Sequence, residues 1–165
     1  MTWEETVNFV KHIPYGRNSN RYDFSLVISE NKGTCSSKHA YLKDFANKNA
    51  IPNVMLIIGI YKMTEHNTTI GNLLSLNSLT YIPEAHCYLK INKTVIDATS
   101  SDSNFDLIKD VILEEIVIEP NQVGTYKIAY HQAFLKKWIV ENNIPFTFDE
   151  IWDIREKCIE KLAAR

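Results

Sequence analysis

Apolar positions near the start of the chain recur at the spacing of an amphipathic helix. That stripe consists of Trp3, Val7, Val10 and Ile13. Thr2 and Glu5 have the spacing of a capping box, and Pro14 cannot continue a helix, so these residues mark its two ends. The pattern predicts a first helix that buries one face against the rest of the protein.

A second helical pattern follows a turn of small residues. Gly33 supplies a flexible turn and Thr34 is a suitable N-cap, after which apolar residues recur at helical spacing. The stripe consists of Tyr41, Leu42, Phe45 and Ala46. We expect a helix over residues 34–48, ending before Pro52, and this helix places Cys35 in its first turn.

Two more helical patterns lie near the end of the chain. One covers about residues 126–142 and places His131 beside an apolar stripe, where a hydrogen-bonded core histidine is expected. The other begins at Thr147, which has Glu150 at capping-box spacing, and it places Cys158 on the buried face. The sequence therefore predicts helices at both ends of the chain.

Strand patterns occupy the middle of the chain. They fall at residues 54–61, 85–91, 94–98 and 111–119. The first is a continuous apolar run, which is typical of a strand covered on both faces, and the second alternates between its two faces. A helical interpretation of residues 107–115 is an alternative to the start of the last strand, and residues 62–81 predict a long ordered loop. Helices that flank a group of strands indicate an α+β fold.

The two middle strands predict a hairpin that brings a histidine and an aspartate together. If Asn92 and Lys93 form a two-residue turn, position 91 lies opposite position 94. His86 and Asp97 then share one face as diagonal neighbours, with Cβ atoms about 7 Å apart. A three-residue loop would instead place the two side chains on opposite faces.

Length and composition indicate one folded unit. The chain has 165 residues, of which 45% are hydrophobic, and we expect a single domain over residues 1–165. A formal net charge of -2 gives no general attraction to nucleic acid, and no apolar run is long enough to cross a bilayer. We therefore expect neither nucleic acid nor a membrane as a partner.

The cysteines favour a reducing environment. Cys35, Cys87 and Cys158 are odd in number and lack the spacing of a zinc knuckle, so a disulfide framework is not expected. The first residues also lack the pattern of a secretory signal peptide. These features together predict a cytoplasmic protein.

Cys35, His86 and Asp97 are the residues that best fit a chemical role. A thiol at a helix start has its pKa lowered from about 8.5, because unpaired N–H groups and the helix dipole favour the thiolate. Such a nucleophile needs a base, and the base needs a third group to fix its tautomer. The alternative is that Cys35 is a small buried apolar residue without reactivity.

The same residues resemble the transglutaminase-like superfamily of papain-like folds. The similarity covers about residues 33–99: a cysteine after a small turn, the punctuation Ala50-Ile51-Pro52, an apolar strand, and a histidine followed by an aspartate in a hairpin. The resemblance implies that Cys35 is the nucleophile, His86 the general base and acid, and Asp97 the orienting carboxylate. It also implies a nucleophile helix packed on an antiparallel β-sheet, here with additional N- and C-terminal helices.

The second donor of an oxyanion hole is expected in the loop over residues 15–23. The first donor would be the backbone N–H of Cys35, and the loop offers Tyr15, Arg17 and Asn18 for substrate binding or oxyanion contact. Lys38 is expected on a solvated helix face. A zinc site is a further alternative, because His39 lies one helical turn after Cys35; its ligands would be Cys35, His39, His86 and Cys87.

These observations predict a cysteine-dependent acyl-transfer enzyme that needs no cofactor. Its substrate would be a peptide, an amide or a small-molecule acyl compound, joined to Cys35 as a thioester and released to water or to an amine. The alternative is a transglutaminase-like binding module that keeps the cleft and lacks turnover.

Overall fold

A computed structural model describes residues 1–164, and within them the strands form one four-stranded antiparallel sheet. In chain order the strands are β1 (Val54–Met63), β2 (Ile82–Ile91), β3 (Thr94–Ile96) and β4 (Ile112–Ile118). Their order across the sheet is β3, β2, β1, β4. The two longest strands therefore occupy the centre.

Six α-helices accompany the sheet in the described residues. They are α1 (Trp3–His12), α2 (Leu26–Ser29), α3 (Cys35–Lys48), α4 (Leu73–Leu76), α5 (Thr125–Glu141) and α6 (Phe148–Ala163). The α+β class and the position of each long helix agree with the sequence pattern, while α4 interrupts the segment that was expected to be a loop. None of the helices within residues 1–164 is long and apolar enough to cross a membrane.

The hairpin between β2 and β3 has the predicted register. Ile91 lies opposite Thr94, so Asn92 and Lys93 form the turn, and Asn92 adopts a positive φ of 56° that a tight hairpin requires. On the other side of β2, His86 lies opposite Gly59 of β1. The register places His86 and Asp97 on one face, as a two-residue turn predicts.

Apolar clusters cover both faces of β1. Alternate residues of a strand point to opposite faces, and Leu56, Ile58 and Ile60 pack with Ala40 and other residues of α3. Tyr61 and Met63 belong to a second cluster, which contains Leu135 and Trp138 of α5 and Ile151, Ile154 and Cys158 of α6. Each fully buried Leu or Ile contributes about 1.5–3 kcal/mol. The continuous apolar run at residues 54–61 is thus a strand covered on both faces, as predicted.

Side-chain caps fix the starts of helices α1 and α6. At α1, Thr2 and Glu5 form the predicted capping box. At α6, the Thr147 hydroxyl accepts from the Glu150 N–H. The same hydroxyl also donates to the Glu150 carboxylate at 3.1 Å. The reciprocal bond to the Thr147 backbone is therefore not made, and the predicted capping box there is wrong in that half.

Candidate active site

The chain enters α3 through a tightly packed turn that fixes Cys35. A Cβ on Gly33 would lie 2.9 Å from Cγ of Lys38 and 3.0 Å from Oγ of Ser37, so only glycine fits at this position without a shift. Thr34 then caps the helix: its hydroxyl accepts from the Ser37 N–H at 3.3 Å, and its own N–H donates to Oγ of Ser37 at 3.0 Å. Cys35 is consequently the first helical residue and is half-buried.

His86 and Asp97 form a direct hydrogen bond across the hairpin. Nε2 of His86 lies 2.7 Å from Oδ2 of Asp97. The other carboxylate oxygen accepts from the backbone N–H of Thr99 at 3.1 Å and from its hydroxyl at 2.5 Å. Burial opposes ionisation of Asp97, but the charge and hydrogen bond of His86 prevail and hold the pKa of Asp97 well below its ordinary value. Both oxygens of the carboxylate are thus fixed.

The imidazole of His86 and the thiol of Cys35 line the same cavity, and each shifts the pKa of the other. Because Nε2 faces Asp97, Nδ1 is the nitrogen available to the sulfur. Burial would lower the pKa of His86, but Asp97 and Cys35 together raise it to about 10. At neutral pH this environment favours a charged imidazolium.

A second thiol lies beside Cys35. Cys87 is buried, and its sulfur donates to Oγ of Ser36, the residue after Cys35, at 3.8 Å. The pKa of Cys35 lies well below its ordinary value: the neighbouring Cys87 thiol is the main cause, burial opposes the shift, and Lys127 and His86 add to it. The pKa of Cys87 is raised well above its ordinary value. The sequence suggests Cys87 only as a zinc ligand, because alternation along the strand directs its side chain away from that of His86.

Lys127 approaches the same sulfur from α5. Its ammonium donates to Oγ of Ser36 at 2.7 Å and lies 3.8 Å from Sγ of Cys35. Burial would lower its pKa, but the charges of Cys35, Cys87 and Glu84 raise it, so the group stays protonated. The sequence offered no local signal for this contact, because Lys127 is 92 positions from Cys35.

These side chains open onto a cavity of about 300 Å³. Its lining includes Cys35, His86 and Asp97, so the three residues selected from the sequence converge on one space. The wall also contains Lys127 and Ser36, and the cavity is large enough for a small acyl group or one side chain of a peptide.

The three loop residues expected to contact substrate also line this cavity. Burial is the main cause that raises the pKa of Tyr15, and the charges of Cys35 and Glu84 raise it further. The amide of Asn18 donates within its own loop, to Oε1 of Glu30 at 3.1 Å and to a backbone carbonyl. Arg17 is paired with a glutamate of α6 at 3.2 Å. All three residues thus border the cavity that Cys35 lines.

A second cluster of charged groups borders the cavity and joins β2 to α5 and α6. Arg155 donates from Nε to both carboxylate oxygens of Glu84, at 3.1 and 3.2 Å, and Glu84 is only 4% exposed. Nε2 of His131 donates to the backbone carbonyl of Pro83 at 2.9 Å and lies 3.6 Å from Glu84. His131 is therefore the hydrogen-bonded core histidine that its helical position predicts.

Lys38 and His39 have structural partners beneath the site. Lys38 is fully buried, contrary to the expected solvated position, because its ammonium donates to the backbone carbonyls of Ile13 and, at 2.7 Å, of Thr99. Burial lowers its pKa to about 8. These bonds join the end of α1 to the segment that carries Asp97.

The side chain of His39 is engaged at both nitrogens. Nδ1 donates to the carbonyl of Cys35 at 2.7 Å, and Nε2 accepts from the Ala98 N–H at 2.8 Å, which specifies a neutral imidazole. Burial lowers the pKa of His39 in agreement with this assignment. Across residues 1–164, no three His, Cys, Asp or Glu side chains are arranged to hold a metal ion, so the zinc alternative lacks its ligand set.

The site as a whole supplies what a reactive thiol requires. A sulfur at a helix start faces an imidazole, a carboxylate fixes that imidazole, and an ammonium and a second thiol favour the anionic sulfur. Such a group can attack an electrophilic carbon that enters the cavity. Comparisons of the chain with protein-family models, with curated proteins and with solved structures found no match.

Proposed function

We propose that this chain is a cysteine-dependent acyl-transfer enzyme with Cys35 as its nucleophile. The observation that carries the proposal is the convergence of Cys35, His86 and Asp97 on one cavity, with 2.7 Å between the last two side chains. A structural cysteine would need neither a fixed imidazole nor nearby positive charge. Here the sulfur has both, at the wall of a cavity.

In the first step, the thiolate of Cys35 attacks the carbonyl carbon of an amide or ester. A carbon–sulfur bond forms, and the carbonyl π electrons move to the oxygen, which the backbone N–H of Cys35 can stabilise. When the tetrahedral intermediate collapses, the bond to the leaving amine or alcohol breaks. His86 gives that leaving group its proton, so His86 becomes neutral and the acyl group remains on sulfur as a thioester.

In the second step, water or an amine attacks the thioester. Neutral His86 takes the proton of the incoming nucleophile, the carbon–sulfur bond breaks, and the thiolate–imidazolium pair returns. Asp97 acts throughout by holding the imidazole in one orientation, so it is a positioning residue. Hydrolysis and transfer to an amine use the same groups and differ in the acceptor alone.

We also propose that the fold is of the transglutaminase-like, papain-like type. Support comes from the placement of Cys35 on α3, which packs on an antiparallel sheet, and of His86 and Asp97 on the β2–β3 hairpin. Helices α1, α5 and α6 would be additions to that arrangement. A free thiolate nucleophile suits the reducing conditions of the cytoplasm, which we propose as its location.

Trapping an acyl-enzyme tests the proposal. The protein is mixed with p-nitrophenyl acetate and the modified residue is identified by mass spectrometry of peptides. We expect acetylation at Cys35 in the wild type and in Cys158→Ala, no acetylation at this position in Cys35→Ala, and a rate about 10²–10⁴-fold lower in His86→Ala.

Equal rates in the wild type and in His86→Ala would refute an enzymatic role for the histidine. If Cys35 stays unmodified by esters, thioesters and amides while ligands still occupy the cavity, the binding-module alternative is favoured instead.

A further inference from the structure

The first turn of α3 borders the cavity and has a backbone donor without a partner in the helix. The N–H of Ser37 is bonded to the Thr34 hydroxyl and that of Lys38 to the Thr34 carbonyl. The N–H of Cys35 comes before the first intrahelical bond and has no partner within the helix. It can therefore contact an oxygen of a molecule bound at Cys35, but effective oxyanion stabilisation usually needs a second donor.

Lys127 places such a donor next to the sulfur. An ammonium group has three donors, and this one directs donors to Oγ of Ser36 at 2.7 Å and to Sγ of Cys35 at 3.8 Å. Within residues 1–164, Lys127 forms no salt bridge with a carboxylate at the distances seen for Arg17 or Arg155. Its charge is thus balanced mainly by the thiolate, and a new negative charge beside the sulfur would be stabilised in its place.

Three other cationic or amide side chains of the cavity wall are already engaged. Arg155 is held by Glu84, Arg17 is paired with a glutamate, and the Asn18 amide donates within its loop. Using any of them for an oxyanion would first break an existing contact. Lys127 needs no such loss, because the reaction itself removes the negative charge from sulfur.

We propose that the ammonium of Lys127 is the second oxyanion donor, so that the acyl oxygen develops its charge between the N–H of Cys35 and a lysine. This inference rests on the proposed acyl-transfer function. As the carbon–sulfur bond forms, one unit of negative charge moves from sulfur to the carbonyl oxygen, a short shift that keeps it beside Lys127. On collapse the electron pair returns to the carbonyl, and Lys127 keeps its proton throughout.

Two reagents separate this role from simple stabilisation of the thiolate. Alkylation by iodoacetamide needs the thiolate but forms no oxyanion, whereas acylation by p-nitrophenyl acetate needs both. Rates of the two reactions at Cys35 are compared at a pH on the plateau of the alkylation profile, where the thiolate is fully formed in every variant. The variants are Lys127→Met, Lys127→Gln and Lys127→Arg, with Lys137→Met, on the exposed side of α5, as the matched control.

We expect Lys127→Met and Lys127→Gln to lower the acylation rate by about 10²–10³-fold, the usual cost of losing one oxyanion donor. Their plateau alkylation rate should stay within about threefold of the wild type. Lys127→Arg should recover part of the loss, and Lys137→Met should change neither rate. Two substitutions of different polarity guard against a variant that fails to fold.

Two results would overturn the inference, and they can be told apart. If both reactions fall by the same factor in Lys127→Met, or if neither falls, Lys127 does not stabilise the oxyanion while the enzyme proposal stands. If wild-type Cys35 is alkylated normally but is not acylated faster than in His86→Ala, the acyl-transfer function itself fails and this role fails with it.

Discussion

Two histidine–carboxylate pairs, one partly buried and one buried, border the same cavity and have opposite properties. Nε2 of His86 lies 2.7 Å from Asp97, and the pKa of His86 is raised to about 10. Nε2 of His131 lies 3.6 Å from Glu84, and burial lowers the pKa of His131. Both histidines are on regular elements and both have an acidic neighbour. One nevertheless favours the charged form and the other the neutral form.

The difference comes from what else each carboxylate binds. Glu84 is occupied by Arg155, which donates to both of its oxygens and neutralises it, so His131 gains little from the negative charge. Within residues 1–164 no Arg or Lys forms a salt bridge with Asp97, which accepts from the hydroxyl and the backbone of Thr99 and whose negative charge acts on His86. The other partners of a carboxylate thus decide whether a neighbouring histidine favours its charged or its neutral form.

The largest effect is expected from a substitution that removes the histidine of the His86–Asp97 pair. His86→Ala should lower the rate of Cys35 acylation by about 10²–10⁴-fold, because it removes the proposed general acid and base. His131→Ala, which removes a histidine bordering the same cavity, should lower it far less, since His131 bonds a backbone carbonyl and is not in contact with the sulfur. The measurement is the rate of p-nitrophenol release under single-turnover conditions. Similar losses in the two variants would remove the distinction between the pairs.

The second prediction concerns Glu84, the carboxylate of the other pair, and its partner Arg155. Arg155→Met should reduce the free energy of unfolding by about 3–5 kcal/mol, because Glu84 would stay buried without its counter-charge. Arg17→Met, which removes a more exposed ion pair on the same helix α6, should cost about 0–1 kcal/mol. Urea denaturation followed by circular dichroism gives both values. An Arg155→Met midpoint equal to that of Arg17→Met would contradict the structural role.

The third prediction concerns the thiol that lies beside Cys35. Cys87→Ala removes the neighbouring group that contributes most to the low pKa of Cys35. The pKa of Cys35 should therefore rise toward its ordinary value. The check is the pH profile of iodoacetamide alkylation. Cys158→Ala is the matched control and should leave the profile unchanged, because Cys158 packs in the other apolar cluster.

The smallest effect is the pH dependence of stability at His131. Its pKa is lower when folded than its unfolded value of about 6.5, so the folded state resists a proton that the unfolded state binds. Stability therefore falls as pH drops below about 6.5, by at most about 1.4 kcal/mol per pH unit. His131→Gln should make this decline shallower in thermal melts across an acidic pH series. An unchanged slope would show that His131 titrates normally.

His86 changes stability in the opposite sense. Its raised pKa means that its contribution is fully present below about pH 6.5 and is lost as pH rises through about 10. A His86→Gln variant should therefore not share the shallower acidic decline of His131→Gln.

The pairing of His86 with Asp97 could be predicted from the sequence because its determinants are local. Gly33 and Thr34 fix the start of the Cys35 helix, and the Asn92-Lys93 turn fixes the register that places His86 and Asp97 on one face. Turn length, capping and strand alternation act over a few residues. The directions of these side chains, and the spacing between His86 and Asp97, therefore follow without knowledge of the tertiary structure.

The rest of the site depends on packing between distant elements. Lys127 reaches Cys35 from 92 positions away, and Arg155 reaches Glu84 from 71. Lys38 has the local pattern of a solvated helical lysine and is nevertheless fully buried, because two backbone carbonyls from separate segments meet its ammonium. Neither periodicity nor composition distinguishes such residues from ordinary surface charges.

The most direct test of the account is a pH titration of the Cys35 thiolate by ultraviolet absorbance, with Cys35→Ser as the blank. We predict a thiolate signal in the wild type that persists well below the ordinary cysteine pKa of about 8.5. In His86→Ala the midpoint should move upward, because the thiolate loses its imidazolium partner. A wild-type midpoint near about 8.5 that His86→Ala leaves unchanged would contradict the account, since no thiolate–imidazolium pair would then exist.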